Sequence, residues 1–220
     1  MSERLTHPDP GRLDGALLRH RELLVLRWLC EQYAARLDHL QVLTGRSLAT
    51  VERLVGSLHS WGYVRTWRIL VDEPAWVIPT HAGLRKWGLL YCAIDPRSTH
   101  LPHLAAMNEV RLHIQAHAPE SVWVSRRQLM HGHPKGVCVP HGLVLLEGHE
   151  TAIEVQLDPE PLPNIRARLQ RLERRFEVVF YFCAPTPHRQ LTNLKEKGRA
   201  PKLQVRKLSD LNRGVPVRRA

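Results

Sequence analysis

Residues Glu177 to Cys183 read Glu-Val-Val-Phe-Tyr-Phe-Cys, an almost wholly apolar run. No polar residue alternates with the apolar ones, so the run predicts a strand buried on both faces. It has a companion in Thr151 to Leu157, where the order Ala152-Ile153-Glu154-Val155-Gln156 sets a carboxylate inside an apolar stretch. An unpaired buried charge is costly, so Glu154 calls for a partner or a metal. Alternation with period two sends Glu154 and Gln156 to the same face. Ser121 to Ser125 and Gly142 to Leu146 are further β-prone segments, and Glu147-Gly148-His149 reads as a tight turn. Helices are predicted from about His103 to His117 and from about Pro163 to Phe176. A short helix near Arg189 to Lys197 and a short strand near Leu203 to Val205 close this half, and disorder is expected beyond Leu211.

The first half has a different rhythm. From about Leu17 to Tyr33, Leu23, Leu26, Leu29 and Tyr33 recur every three to four residues, with Arg19, Arg21, Arg27 and Glu31 between them. That spacing predicts an amphipathic helix. Asp38 reads as the N-cap of a second helix ended by Gly45, and Ser47 as the N-cap of a third ended by Gly62. Two β-prone runs follow, Val64 to Val71 and Trp76 to Pro79, then a helix from His81 to about Leu90 capped by Thr80. Three helices, a hairpin and a helix make the order of a winged helix-turn-helix. The fold class is therefore α/β, α+β overall: a winged helix-turn-helix at 15–94, a linker at 95–102 marked by Pro96 and Pro102, an α/β domain at 103–210 and a tail at 211–220.

A winged helix sets its third helix in the major groove. The exposed positions predicted there are Arg46, Thr50, Arg53 and Ser57, with Arg65 and Arg68 on the wing. Arg can chelate guanine edges, and hydroxyls and wing cations suit phosphates. Trp61, Trp67, Trp76 and Trp87 read as core and wing packing. Charge points the same way: 32 Lys and Arg stand against 21 Asp and Glu, a net of +11, with 14 His besides. Such an excess suits a polyanion, most often nucleic acid. Arg166, Arg168, Arg171, Arg174 and Arg175 crowd one helix, and from Pro185 onward ten cations face two acids, a net of +8 read as a flexible basic tail.

Other classes drop out. With 43% apolar and 24% charged residues, the chain is not disordered or collagenous, and its apolar runs are too short to span a bilayer. Cys30, Cys92, Cys138 and Cys183 form no CxxC pair and read as free thiols in a reducing cytoplasm. There is no P-loop and no Gly-x-Ser-x-Gly elbow. His131, His133, Cys138 and His141 offer four nitrogen and sulfur donors, but their spacing matches no zinc module.

The order helix, strand, hairpin, acid-bearing strand, helix, strand resembles the PD-(D/E)XK nuclease-like fold, a restriction-endonuclease-like domain. A winged helix before it is similar to the replication-relaxation family of actinobacterial plasmid proteins. The matching residues are Pro140, Gly142, the hairpin, Glu154, Arg166 to Arg175 and Phe180-Tyr181-Phe182. The resemblance implies catalytic positions at His141, Glu154 and Gln156, with Glu109 as an added carboxylate, and Mg²⁺ or Mn²⁺ held by Glu154 and His141. It also implies double-stranded DNA and replication or transfer proteins as partners. Two positions depart: His141 stands where the family has Asp, and Gln156 where it has Lys. Imidazole suits Mg²⁺ poorly. The implied function is DNA binding in plasmid or mobile-element replication, with a degenerate nuclease-like domain; active endonuclease and transcriptional regulator are the alternatives. Arg168, Arg171 and Arg175 would face phosphates.

Overall fold

The structure, a computed structural model, describes residues 18–68, 73–89, 98–131 and 137–213. The chain is a mixed α+β protein that divides into two compact units, Met1–Ser98 and Thr99–Ala220.

In the first unit, α1 (His20–Gln32) buries Leu26, Leu29 and Cys30 of the predicted stripe together with Val25, while Leu23 and Tyr33 are only half-buried. β1 (Ala35–Arg36) leads into α2 (Leu37–Thr44) and α3 (Leu48–Ser60). Asp38 lies inside the first turn of α2 rather than at its N-cap, where it accepts the His39 N–H and pairs with Arg36 at 2.8 Å. β2 (Val64–Trp67) and β3 (Trp76–Pro79) form an antiparallel hairpin, with β1 on the far side of β3. The strand predicted to Val71 ends at Trp67, and residues 69–72 lie outside the described residues. α4 (His81–Lys86) is shorter than predicted and is capped by Thr80, which accepts the Gly83 N–H at 3.1 Å and donates to the Gly62 carbonyl at 2.6 Å. Gly83 is fixed by space: a Cβ there would run into the Tyr63 carbonyl.

A 3₁₀ turn at Ser98–His100 spans the boundary and leads into α5 (Leu101–His117), so 98–102 of the predicted linker is helical and 95–97 lies outside the described residues. The sheet order is β4 (Val122–Ser125), β5 (Gly142–Leu146), β6 (His149–Gln156), β7 (Val178–Cys183), β8 (Leu203–Lys207). β4, β5 and β6 pair antiparallel, while β6, β7 and β8 are parallel. Helices α7 (Leu162–Glu173) and α8 (Pro185–Glu196) supply the two parallel connections. Their Ile165, Leu169, Leu172, Leu191 and Leu194 cover one face with Val179, Tyr181 and Cys183. On the other face Ala106, Met107 and Val110 of α5 meet Ile153, Val155 and Phe182. β7 is thus packed on both sides, as its unbroken apolar run requires.

The β5–β6 turn holds Glu147 and Gly148, both with positive φ (50° and 84°), the two-residue geometry that suits strand twist. Gly142 is fixed by its neighbour: a Cβ would enter the Trp123 indole ring on β4. The short helix α6 (Arg126–His131) was not predicted. The short helix and strand predicted near 189–197 and 203–205 are present as α8 and β8, so the basic stretch from Pro185 is folded as far as 213 rather than a flexible tail; 214–220 lie outside the described residues. Lys202 uses its charge structurally: its ammonium donates to the Glu173 and Phe176 carbonyls at 2.7 and 2.9 Å, at the C-terminus of α7. Cys30, Cys138 and Cys183 are free thiols, and burial pushes Cys183 up to about 12. No helix among the described residues is long and apolar enough to cross a membrane.

Candidate functional site

In the second unit the sheet brings His141, Glu154 and Gln156 together. Glu154 sits mid-strand on β6, next to Tyr181 on β7. Leu143 pairs with Ala152, so two residues back His141 falls beside Glu154 on the same face. The His141 N–H donates to Glu154 Oε1 at 3.3 Å, and His141 Nδ1 lies 3.3 Å from Glu154 Oε2. That Nδ1 already accepts the Val155 N–H at 3.0 Å, so its lone pair points at the strand and the ring is neutral with its proton on Nε2.

Glu154 is 1% exposed, and its Oε2 has no hydrogen-bond partner. Burial raises its pKa to about 7, against the pull of Arg168, Arg126 and the His141 amide. Burial also holds His141 well below the ordinary imidazole value, helped by His103, Arg126 and Arg168. The His103 ring meets the His141 ring edge-on at 4.6 Å and is likewise lowered, first by burial and then by Arg126. Two neighbouring groups that each disfavour their charged form describe a neutral pair near pH 6.5.

Arg168 on α7 is the nearest cation to Glu154, at 3.6 Å. It was predicted to face phosphate, and it turns inward instead. Its Nε–H donates to the Tyr181 hydroxyl at 3.0 Å, and its Nη2 donates to Gln156 at 2.8 Å and Glu160 at 2.7 Å. Burial lowers its pKa, but Tyr181, Glu154 and Glu160 outweigh that and raise it. Burial likewise drives the Tyr181 phenol upward. Gln156 relays the contact, donating to the Asp158 carbonyl at 2.7 Å.

Other predicted groups lie elsewhere. Glu109 is half-buried on α5, whose Ala106, Met107 and Val110 pack on the sheet face opposite to Glu154. Arg171 and Arg175 are exposed; Arg171 bonds the Ala167 carbonyl of its own helix, and Arg175 lies over the Phe176 ring. Of the nitrogen and sulfur donors between His131 and His141, His133 is outside the described residues and Cys138 packs against the core. Among the described residues no group of three or more His, Cys, Asp or Glu is gathered to hold a metal ion.

The first unit carries a separate feature. Arg46 is exposed in the α2–α3 turn, and Arg53 is exposed on α3, where it donates to Thr50 at 3.2 Å. Ser57 is not free to read a base: its hydroxyl donates to buried Glu22 at 2.9 Å. Arg65 is half-buried on β2, and Arg68, exposed, follows it. Trp67, predicted as packing, is 41% exposed. A groove joins Thr50, Arg53, Ser57 and Trp61 of the α3 region to Arg19, His20 and Arg21 at the start of α1. The sequence marks Arg19 and Arg21 only as the polar side of a helix and gives no role to His20. Their position beside α3 depends on the α1–α3 packing, which no local pattern reveals.

No family model matches the chain, and no curated protein matches it. It is similar to a solved structure described as that of TrmBL2, an archaeal chromatin protein with a novel mode of DNA binding. That similarity has 11% identity, spans 86% of this chain and 76% of that one, and has a TM-score of 0.26. A score so low carries no argument about fold or function.

Proposed function

We propose that this chain is a DNA-binding protein that holds double-stranded DNA with its first unit and carries a nuclease-like second unit that does not cut. The carrying observation is the groove in which Arg19, His20 and Arg21 join Arg53 beside α3. Cations at the start of α1 and on α3, the second helix of the helix-turn-helix, suit the phosphates that border a major groove. Exposed Arg46, Arg68 and Trp67 extend the same surface.

Two features of the second unit support loss of cleavage. A guanidinium stands 3.6 Å from the acid that would hold a divalent ion, and the His141 Nδ1 lone pair is taken by a strand amide. A divalent ion would have to displace Arg168 from Tyr181, Gln156 and Glu160 together. The finer reading is a role in the replication or transfer of a plasmid or other mobile element, inside the cell, with replication or transfer proteins as partners. It rests on the family resemblance alone.

The test is fluorescence anisotropy with a labelled duplex across a salt series, beside plasmid incubation with Mg²⁺ and with Mn²⁺. Binding should weaken steeply with salt. Arg53→Ala and Arg21→Ala should each weaken it by about tenfold. Absence of salt-sensitive binding sinks the proposal. Metal-dependent cutting abolished by Glu154→Ala establishes the endonuclease instead.

A further inference from the structure

On the sheet face away from Glu154, beyond the end of α5, the second unit has an open cavity of about 500 Å³. Strand alternation explains its floor. Val144 and Leu146 of β5, Thr151 and Ile153 of β6, and Phe180 and Phe182 of β7 all point to this side. The two Phe rings lie 6.1 Å apart and nearly parallel, 23° between planes. Ile114 and the His113 and His117 rings wall it from α5, and Leu211 closes the end.

The rim is cationic. Arg206 pairs in register with Phe182, so it stands on the same face beside that ring, and Lys207 ends the strand. Among the described residues neither side chain has a hydrogen-bond or ion-pair partner, and the rim holds one carboxylate, Asp210. His117 Nδ1 donates to the His113 carbonyl at 2.8 Å, which leaves its Nε2 outward. His113 Nδ1 is buried without a partner.

Pockets for small molecules have this make-up: a few hundred Å³, mostly apolar walls and a few polar groups that fix orientation. An apolar floor edged by the Arg206 guanidinium selects a matching ligand. We infer that this cavity binds an amphipathic anion, a molecule with a flat or acyl apolar body and an acidic head group. The body lies on Phe180, Phe182 and Ile153, and the head meets Arg206, with His117 beside it. This site is independent of the groove near α3, and either can fail alone.

The probe is 1-anilinonaphthalene-8-sulfonate, titrated into the full chain and followed by fluorescence. Saturable binding at one site per chain is expected, with competition by 1-naphthoate or by decanoate; the stronger competitor tells an aryl from an acyl body. Arg206→Glu should weaken 1-naphthoate by about tenfold and leave the neutral 1-naphthylmethanol within about threefold. Ile114→Trp, which fills the cavity, should remove both ligands while the circular-dichroism melt stays cooperative; Thr151→Trp serves if that variant does not fold. Equal losses of acid and alcohol in Arg206→Glu overturn the proposal, as does probe binding that survives the filling variants. A wild-type dimer that takes no probe and falls to monomer on filling makes a second copy the occupant, which also overturns it. So does probe binding seen only after the chain is cut behind Arg213.

Discussion

Glu22 in the first unit and Glu154 in the second are both buried, and the two are treated very differently. Glu22 is 5% exposed, and both of its oxygens are used: one accepts the Arg19 N–H at 2.8 Å, the other the Ser57 hydroxyl at 2.9 Å. Glu154 is 1% exposed, has one long amide bond at 3.3 Å and leaves its second oxygen without a hydrogen bond, 3.6 Å from Arg168. A buried carboxylate short of donors holds its charge less readily, as Glu154 does. The first acid closes the start of α1 and ties it to α3. The second sits under an arginine, poised between protonation states near neutrality.

The largest test of this contrast removes the cation from the deficient site. Arg168→Leu strands Glu154 and takes donors from Tyr181, Gln156 and Glu160, so urea unfolding at pH 8 should show a loss of about 3–5 kcal/mol. A loss below about 1 kcal/mol would mean that solvent, not Arg168, compensates the acid. The second test uses protons. The folded value of Glu154 is raised to about 7, above its ordinary 4.5. Between those values the folded chain keeps a proton that the unfolded chain releases, so the wild type loses stability as pH rises. Relative to Glu154→Gln the loss should reach on the order of 3 kcal/mol between pH 4.5 and 7.5. His103 and His141, both lowered, act oppositely, costing stability as pH falls through 6.5. They are present in both proteins and largely cancel in the difference. A flat difference across that range would contradict the neutral Glu154.

A smaller effect probes the satisfied acid. Ser57→Ala deletes one donor to Glu22 and should cost about 1.5–2 kcal/mol, read from the shift in urea midpoint. The smallest is an expected silence. Glu154→Gln should leave duplex affinity within about twofold, because a buried group makes no phosphate contact, while Arg53→Ala weakens it. A large loss in Glu154→Gln would put the face of the second unit around Glu154 in contact with DNA.

Much of the architecture was legible because it is local. Period-two alternation placed Glu154 and Gln156 on one face, and the apolar run at β7 announced a strand covered on both sides. The residues facing Glu154 were legible in part: His141 follows from the hairpin register, but Arg168 does not. It is brought in by α7, and whether its guanidinium turns to solvent or to Tyr181 is decided by docking. The same reason hid the Arg19, His20 and Arg21 groove. α6 and β1 escaped because six and two residues are too few to show a period. The supposed tail misled because cations are as readily set on a short helix and edge strand, as Lys195 and Arg206 are, as on a loose end.

The close approach of Gly83 to the Tyr63 carbonyl has a mechanical meaning. Tyr63 is the root of the wing, Thr80 is its exit, and the Thr80 N–H is bonded to that same carbonyl at 2.9 Å. The hairpin is therefore clamped at its base like a lever on a fixed pivot, and its far end, with Trp67 and Arg68, can be aimed only by bending the strands. A side chain at position 83 would loosen the pivot and let the whole arm swing without altering a single residue that it carries.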